Sequence, residues 1–249
     1  FGAVSSRRKG YGMKRIALVT GSAKGIGRAI VLRLAQENYQ VVVHYRNSKA
    51  EAELTLRDAK ALGAGAIALP ADITNPEEAR SLVEKTLRYF GRLDVLVNNV
   101  GSYLYKPIEE TGAEEWQGVL DSNLNATFYV TQAAIPHLVA SGAGRVVNLG
   151  YAGAGNLVAR PHVTPYLIAK TGVMLYSKAL AKRLAGRGVT VNVVSPGVAE
   201  NSVSQPLAEI PAGRLATLGE VAEAVLYFVR ESSGYVTGQV LEVSGGWNL

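Results

Sequence analysis

KRIALVTGSAKGIG, residues 14–27, joins a short apolar segment to a glycine-rich turn. Residues 16–19 (IALV) show no helical spacing, which is typical of a strand buried on both faces. Gly21, Gly25 and Gly27 follow, and a helical pattern covers residues 28–38. Glycines allow the backbone to approach a ligand, and the N–H groups and dipole at a helix start attract an anion. The stretch therefore predicts a phosphate-binding turn between a strand and a helix.

The same alternation of strand and helix continues along the chain. Strand patterns recur at 41–43, 66–69, 93–97, 145–149, 189–195 and 239–243, and helical patterns at 49–62, 76–90, 113–141, 164–185 and 220–231. Such alternation implies parallel pairing with right-handed crossovers. We predict an α/β fold, a single-domain Rossmann-like doubly wound parallel sheet of seven strands with helices on both faces. Residues 13–249 form this domain and residues 1–12 a tail. Asn75 and Thr164 are predicted helix caps, each followed by proline.

Composition excludes several classes of function. The 249 residues are 48% hydrophobic and contain no cysteine, which excludes disulfides, thiolate metal sites and cysteine nucleophiles. His44, His137 and His162 lie far apart in sequence, so no metal site is predicted. No apolar run approaches the ~20 residues of a membrane span. We expect a cytoplasmic protein that binds no membrane.

The charge of the chain gives little support to a nucleic-acid partner. The formal net charge is +6, and leaving out the three cations at positions 7–9 reduces it to +3. No basic run is interleaved with aromatic residues. We therefore expect no nucleic acid among the partners.

Four motifs, in their order and spacing, resemble the short-chain dehydrogenase/reductase family. They are Thr20-Gly21-x-x-x-Gly25-Ile26-Gly27, Asn98-Asn99-x-Gly101, Tyr166-x-x-x-Lys170 and Pro196-Gly197. The closing segments 210–214 (IPAGR) and 237–239 (TGQ) resemble its β-ketoacyl-acyl carrier protein reductase branch, whose members serve fatty acid biosynthesis. The resemblance covers the chain from residue 14 to the C-terminus and implies an NADPH-dependent oxidoreductase. Its substrate would be a small-molecule carbonyl, free or as a carrier-bound thioester, which is reduced to an alcohol.

The resemblance assigns catalytic roles to three residues. Tyr166 is the general acid, Lys170 supports it and hydrogen-bonds the nicotinamide ribose, and Asn123 holds a water in a proton relay. A free tyrosine titrates near ~10, and a neighbouring ammonium stabilises the phenolate. We therefore expect Lys170, one helical turn after Tyr166, to lower the pKa of the tyrosine. Tyr45-x-x-x-Lys49 has the same spacing, but its place after the second strand favours a surface pair.

One departure from the family concerns the serine that polarises the substrate carbonyl. Its position is Tyr151 when counted from the fifth strand, or Gly153 when counted back from Tyr166, and residues 150–165 contain no serine. We expect the hydroxyl of Tyr151 to replace it, the alternative being that the ring only lines the pocket.

The turn after the second strand indicates NADP rather than NAD. NAD-binding Rossmann proteins place an acidic residue there, whereas residues 44–48 read HYRNS, and Arg46 and Lys24 can flank a 2′-phosphate. Asp72 corresponds to the family's aspartate near the adenine, Asn99 to a residue that steadies the sheet, and Asn201 or Ser202 to the threonine that contacts the carboxamide. The complete predicted cofactor set is Gly21, Ser22, Lys24, Gly25, Ile26, Gly27, Tyr45, Arg46, Asn47, Ser48, Asp72, Ile73, Asn99, Val100, Gly101, Tyr166, Lys170, Pro196, Gly197, Val198 and Asn201.

Two other functions stay open. Residues 41–48 and 123–138 also resemble pteridine reductases, which lack the usual serine but carry an aspartate that this chain lacks. A non-catalytic NADP-binding or sensing protein is the other alternative, since the serine is absent. The helix from Tyr166 onward is apolar on more than one face, which together with the resemblance predicts a homotetramer. A lid shorter than usual, residues 197–211, argues against transferring acyl-carrier specificity without a test.

Overall fold

The computed structural model describes residues 14–248, where seven strands form one sheet. The predicted tail at residues 1–12 lies outside the described residues. The sheet order is β3-β2-β1-β4-β5-β6-β7 and every pairing is parallel. The strands are β1 Ile16–Val19, β2 Gln40–Tyr45, β3 Ala66–Pro70, β4 Val95–Asn98, β5 Arg145–Leu149, β6 Thr190–Pro196 and β7 Val240–Val243. This confirms the predicted doubly wound parallel sheet.

Helices cover both faces of the sheet, as its alternating side chains require. They are α1 Gly25–Gln36, α2 Lys49–Ala61, α3 Pro76–Phe90, α4 Ala113–Leu120, α5 Ala126–Ala140, α6 Thr164–Leu184 and α7 Leu218–Val229. Val19 joins a core with residues of α1, α2 and α7, whereas its neighbour Leu18 joins a second core with residues of α3, α5 and α6. Successive strand residues point to opposite faces, so both faces of β1 are buried.

The helix starts test the predicted caps. Asn75 caps α3, because its Oδ1 accepts from the N–H groups of Glu77 and Glu78 at 2.8 and 3.3 Å. The predicted cap at Thr164 is wrong, since α6 begins at that residue and its hydroxyl donates to the carbonyl of Arg160 at 3.0 Å. Helix α7 begins at Leu218, two residues before its predicted start at residue 220. Thr217 caps it through a reciprocal capping box with Glu220.

The long helical region predicted over residues 113–141 contains one interruption. A π-helical turn, Asp121–Asn125, separates α4 from α5. Such turns are rare and leave carbonyls out of the regular ladder. Here the side-chain amide of Asn123 donates to the carbonyl of Val119 at 3.0 Å and reaches Ser102 O at 2.9 Å. The interruption therefore fixes Asn123 beside the loop after β4.

All seven strands end at the same edge of the sheet because they are parallel, and ligands of such folds bind beyond that edge. A helix of the length and apolarity that a bilayer crossing requires does not occur within residues 14–248.

Candidate active site

An open cleft of about 870 Å³ follows the carboxyl edge of the sheet, from the glycine turn to Trp247. The loops after β1, β4, β5 and β6 form its walls. The predicted site residues that line it are Gly21, Lys24, Gly25, Ile26, Gly27, Asn99, Val100, Gly101, Tyr151, Tyr166, Lys170, Pro196, Gly197, Val198 and Asn201. Seven predicted cofactor residues do not line it: Ser22, Tyr45, Arg46, Asn47, Ser48, Asp72 and Ile73.

The glycine turn is fixed by hydrogen bonds, and its glycines have no space for a side chain. Gly21 and Gly25 have φ of +60° and +58°, which side chains disfavour. A Cβ on Gly27 would lie 2.4 Å from the carbonyl oxygen of Gly21. Asn99 donates from its amide to Thr20 O and Gly21 O, at 3.0 Å each. Asn99 therefore fixes the turn, in line with the steadying role predicted for it.

A buried histidine completes this turn, and the sequence analysis missed its role. The N–H of Gly21 donates to Nδ1 of His44 at 2.9 Å, and Nε2 lies 3.1 Å from the carbonyl of Ala71. These partners assign the proton to Nε2, since Nδ1 accepts. Burial lowers the pKa of His44 to about 4, so the ring is neutral near pH 7. Its position at the end of the apolar β2 was the available signal.

Ser22 belongs to the same arrangement and is fully buried. Its hydroxyl donates to Val19 O at 2.7 Å and accepts from the N–H of His44 at 3.0 Å, and its own N–H donates to His44 O. The polar groups of Ser22 are thus used inside the protein. Ser22 therefore stabilises the glycine turn through its bonds to Val19 and His44, and its side chain does not line the cleft.

The segment after β2 carries cations but no acid. Arg46 lies outside the cleft lining, and its guanidinium is 3.4 Å from a carboxylate oxygen of Asp72 in an exposed pair. Hydrogen bonds from Thr74 and the charge of Arg46 lower the pKa of Asp72. Lys24 lines the cleft, and no carboxylate of the described residues lies within 4 Å of its ammonium. Positive charge is therefore available at this end of the cleft.

Tyr166 and Lys170 meet at the centre of the cleft. They lie one turn apart on α6, and the Lys170 ammonium is 5.5 Å from the centre of the Tyr166 ring. Lys170 is 4% exposed and donates to the carbonyl of Leu149 at 2.8 Å. Burial lowers the pKa of Lys170 to about 8.

The expectation that the pKa of Tyr166 is lowered is wrong, because its pKa is raised. Burial raises the pKa of the Tyr166 phenol, and the neighbouring Tyr151 and Tyr103 raise it further. Desolvation disfavours the phenolate, and the pKa of Tyr166 is raised although Lys170 lies beside its ring. Tyr166 therefore keeps its proton throughout the neutral range.

Asn123 lies behind this pair and has an unused acceptor. The residue is fully buried, and its Oδ1 has no hydrogen-bond partner among the described residues. A Cβ on Gly101 would lie 2.2 Å from that oxygen and 3.4 Å from Nζ of Lys170. Gly101 thus leaves a small polar space between Asn123 and Lys170. Buried polar groups of this kind are usually satisfied by water.

The loop between β5 and α6 contains both positions that were considered for the family's serine. Gly153 has a φ of +78°, and a Cβ there would lie 2.6 Å from Cβ of Asn248. A serine does not fit at that place. Tyr151 stands against the reacting centre instead, its ring 5.3 Å from that of Tyr166 and 5.6 Å from that of Trp247. Burial raises the pKa of Tyr151, opposed by the charge of Arg160.

Asn248 holds this loop in place, a contact that the sequence did not signal. Its Oδ1 accepts from the Arg160 guanidinium, its Nδ2 donates to Ala152 O at 3.2 Å, and its carbonyl accepts from Asn156 at 2.7 Å. The loop after β5 therefore depends on the far C-terminal end of the described chain.

The lid after β6 closes over the glycine turn. Nδ2 of Asn201 lies 2.9 Å from where a Cβ on Gly25 would stand. The hydroxyl of Ser202 accepts from the N–H of Ala199 at 3.0 Å and so shapes the lid itself. Of the two predicted replacements for the family's threonine, Asn201 is the one whose amide faces the turn.

Aromatic residues surround the substrate end of the cleft and were not among the predicted site residues, Tyr151 and Tyr166 apart. Tyr103 meets Tyr166 edge to face at 5.1 Å. Tyr105 stacks on His162 at 5.2 Å with 14° between the ring planes. The available sequence signal was the pair Tyr103 and Tyr105 directly after the Asn98–Gly101 motif. No group of three acidic or histidine side chains within residues 14–248 is arranged to hold a metal.

Known proteins match this chain over most of its length. A family model described as Enoyl-(Acyl carrier protein) reductase matches residues 21–248. The 3-oxoacyl-(acyl-carrier-protein) reductase FabG of Staphylococcus aureus is 35% identical over 243 residues, which cover 94% of this chain and 98% of that protein. The 3-oxoacyl-(acyl-carrier-protein) reductase of a Synechocystis species is 36% identical over 239 residues, covering 93% and 96%.

Solved structures share the fold. The acetoin dehydrogenase of Enterobacter cloacae superposes with a TM-score of 0.88 at 29% identity and covers 95% of this chain and 96% of its own. A variant of the actinorhodin polyketide ketoreductase, solved with NADPH, has a TM-score of 0.88 at 33% identity, covering 94% and 97%.

Proposed function

The chain belongs to the short-chain dehydrogenase/reductase family and resembles its 3-oxoacyl reductases, and from this premise we propose that it is an NADPH-dependent reductase of β-ketoacyl thioesters or similar carbonyl compounds. The observation that carries the proposal is the Lys170 ammonium, 5.5 Å from the Tyr166 ring at the centre of the cleft. A phenol and a buried ammonium beside a glycine turn are the groups that proton donation to a reduced carbonyl requires.

The residues around the turn fit a dinucleotide phosphate. The first residues of α1, which begins at Gly25, offer backbone N–H groups to a pyrophosphate, and Gly21 lets the backbone approach it without a side chain. Lys24 supplies a cation in the cleft, and residues 44–48 carry no acid that would repel a 2′-phosphate. NADPH bound there supplies the hydride. We expect Arg46 to leave its exposed contact with Asp72 for the phosphate, since exposed ion pairs contribute little.

Tyr166 donates the proton in this proposal. Its raised pKa keeps the phenol neutral, so a proton is available for the carbonyl oxygen at neutral pH. The Lys170 ammonium lies at the ring and stabilises the charge that develops on the phenol oxygen. The Tyr166 phenolate then regains its proton from the Lys170 ammonium, and solvent returns a proton to the Lys170 amine through the polar space beside Oδ1 of Asn123.

Tyr151 takes the place of the family's serine. It follows β5 directly and packs against Tyr166, and the other candidate position, Gly153, backs onto Asn248. We expect Tyr151→Phe to lower kcat while the KM for NADPH stays the same, because only the hydroxyl is removed. An unchanged kcat would mean that the ring merely lines the pocket.

The homotetramer remains part of this proposal. Phe128 on α5 and Ile168 and Leu175 on α6 are 42%, 45% and 71% exposed, and Leu241 on β7 is 38% exposed. Apolar surface of this extent suits a subunit contact through the two long helices and the last strand. Light scattering at micromolar concentration tests it, and a monomer would contradict it.

A substrate panel tests the activity. NADPH oxidation is followed with acetoacetyl thioesters, free or attached to acyl carrier protein, and with dihydropterin, using Tyr166→Phe as the control. We expect turnover with a thioester that the variant abolishes, and a preference for NADPH over NADH. Turnover with dihydropterin alone would make the protein a pteridine reductase. NADPH binding without any turnover would favour the sensing function.

A further inference from the structure

The substrate end of the cleft presents two aromatic rings to solvent. Tyr103 is 40% exposed and Tyr105 is 65% exposed, although both line the cleft. Large exposed apolar groups inside a cleft mark surface that a ligand covers. The Trp247 ring, by contrast, is 6% exposed and lies under the Arg160 guanidinium at 5.4 Å. Among the tyrosine and tryptophan rings that line the cleft, Tyr103 and Tyr105 are the most exposed, and we call them the mouth rings.

The mouth rings extend outward from the reacting centre. Tyr103 lies 5.1 Å from Tyr166, and Tyr105 is two residues further along the same loop. Tyr103 lines the cleft beside Tyr166, so it is within reach of a substrate whose carbonyl contacts Tyr166. The part of the substrate next to the carbonyl thus lies near ring surface.

Tyr105 is held in position rather than left to rotate. His162 stacks against one face at 5.2 Å, and the N–H of Lys106 donates to the carbonyl of His162 at 2.7 Å. These contacts join the loop after β4 to the loop after β5. One face of Tyr105 is covered by His162, so the opposite face is the one that a ligand can contact.

The adjacent charge at this edge of the mouth is already neutralised. The ammonium of Lys106 is 2.7 Å from a carboxylate oxygen of Glu115. On the loop across the mouth Val158 is 54% exposed. Arg160 also lines the cleft, but its guanidinium lies over Trp247 and bonds Asn248. Beside it, the mouth offers ring faces and a branched aliphatic side chain to a flat apolar group.

We propose that the mouth rings bind an aromatic ring of the substrate, so that this reductase prefers carbonyl compounds with an aromatic group a few bonds from the reacting carbon. This inference rests on the proposed reductase function and adds the substrate class to it. Aromatic pairs attract each other beyond the burial of their area, because ring edges and faces carry opposite partial charge.

Two size-matched probes test the substrate class. They are the N-acetylcysteamine thioesters of 3-oxo-5-phenylpentanoate and 3-oxo-5-cyclohexylpentanoate, which share one carbon skeleton. The saturated ring is the more hydrophobic, so area burial alone favours it, whereas ring–ring contact favours phenyl. We expect kcat/KM to be about 2- to 10-fold higher for the phenyl compound, the range that aromatic pairs contribute.

Variants of the mouth rings test whether these residues cause the preference for the phenyl compound. Tyr105→Leu and Tyr103→Leu are each expected to bring the phenyl-to-cyclohexyl ratio to about 1 or below. Tyr89→Leu is the matched control, because Tyr89 is 62% exposed on α3 and does not line the cleft; it should keep the wild-type ratio. His162→Leu serves as a further variant should Tyr105→Leu fail to fold. A wild-type ratio of 1 or below, or a ratio that the mouth-ring variants leave unchanged, would overturn the proposal.

Binding separates this inference from the proposed function. The reductase proposal stands or falls with the substrate panel described above. If neither of these two thioesters is reduced, calorimetric titration of both compounds into the NADPH-loaded protein decides on the substrate class. Tighter binding of the phenyl compound, lost in Tyr105→Leu, would support it. Equal binding of the two compounds would refute it.

Discussion

The glycine turn after β1 and the loop after β5 lie on the same edge of one sheet, yet they are held in different ways. Asn99 and His44, which follow β4 and end β2, bond the turn directly, and the parallel strand register places both residues beside it. Asn248 holds the loop after β5 through contacts that span about ninety residues of sequence. The sheet itself thus fixes the cofactor end, whereas the C-terminal segment fixes the substrate end. Substrate specificity is therefore expected to vary more readily than cofactor binding, because the sheet does not fix the loop that forms the substrate end.

The largest effect on activity is expected at Tyr166, which lines the cleft between the cofactor end and the substrate end. Tyr166→Phe removes the proton donor, and we expect kcat to fall by about 100-fold or more, the range of general acid catalysis. The dissociation constant for NADPH should stay within about 2-fold, since the glycine turn is untouched. Steady-state rates and a fluorescence titration with NADPH measure the two quantities. A kcat close to wild type would remove Tyr166 from the mechanism.

The rigidity of the glycine turn is tested by one added methyl group. Gly27→Ala sets a Cβ against the carbonyl of Gly21, and we expect the free energy of unfolding to fall by about 3 kcal/mol and NADPH binding to weaken. Gly118→Ala is the matched control, because no atom lies within 4 Å of its added Cβ on α4. That change should stabilise the protein by about 1 kcal/mol. Urea unfolding of both variants makes the comparison, and equal effects would contradict it.

The burial of the charged Lys170 side chain is expected to lower the free energy of unfolding in a pH-dependent way. The pKa of Lys170 is lowered to about 8 in the folded protein, so the unfolded chain binds more protons between about pH 8 and the ordinary lysine pKa of 10.5. Wild-type stability should therefore rise relative to Lys170→Met by about 2 kcal/mol between about pH 7 and about pH 9.5. Urea unfolding at both pH values measures this difference.

Lys178→Met, at an exposed position of the same helix, provides the control for that series. It should show no comparable change between the two pH values. A pH-independent difference between wild type and Lys170→Met would contradict the burial of a charged Lys170.

The smallest effect is expected at the contact that holds the substrate end. Asn248→Gly keeps the positive φ of 64° accessible while removing the bonds to Arg160 and Ala152. We expect the KM for a thioester to rise about 5-fold, because about 1 kcal/mol of hydrogen bonding is lost. The KM for NADPH should not change.

Asn38→Gly is the matched control for this change, since Asn38 also has a φ of 64° but lies at the exposed end of α1. It should leave both KM values unchanged. Equal increases for thioester and NADPH in Asn248→Gly would show that the two ends are not held separately.

The same contrast explains what the sequence could predict. The seven strands and the glycine turn follow from local patterns, because buried parallel strands and phosphate turns each need particular residues at short spacing. Tyr166, Lys170 and Asn123 were placed by their motif, and the structure brings them together. The lowered pKa expected for Tyr166 was wrong because burial depends on Tyr151 and Tyr103, which come from other loops.

Long-range contacts account for the rest. Nothing in the sequence of the segment after β5 shows that Gly153 packs against Asn248, so the sequence alone does not indicate that a side chain at position 153 would be crowded. The sequence analysis also missed the role of His44, because its partners Gly21 and Ala71 follow two other strands, β1 and β3. The mouth rings needed the fold as well, because only the fold places Tyr105 against His162.

Isotope transfer tests the central claim most directly. The protein is incubated with an acetoacetyl thioester and NADPH that carries deuterium at both C4 positions, and the product is analysed by mass spectrometry. We expect a 3-hydroxybutyryl thioester with one deuterium on the carbinol carbon, formed by the wild type and not by Tyr166→Phe. An alcohol without deuterium, or no alcohol from this substrate or any other carbonyl compound although NADPH binds, would contradict the account.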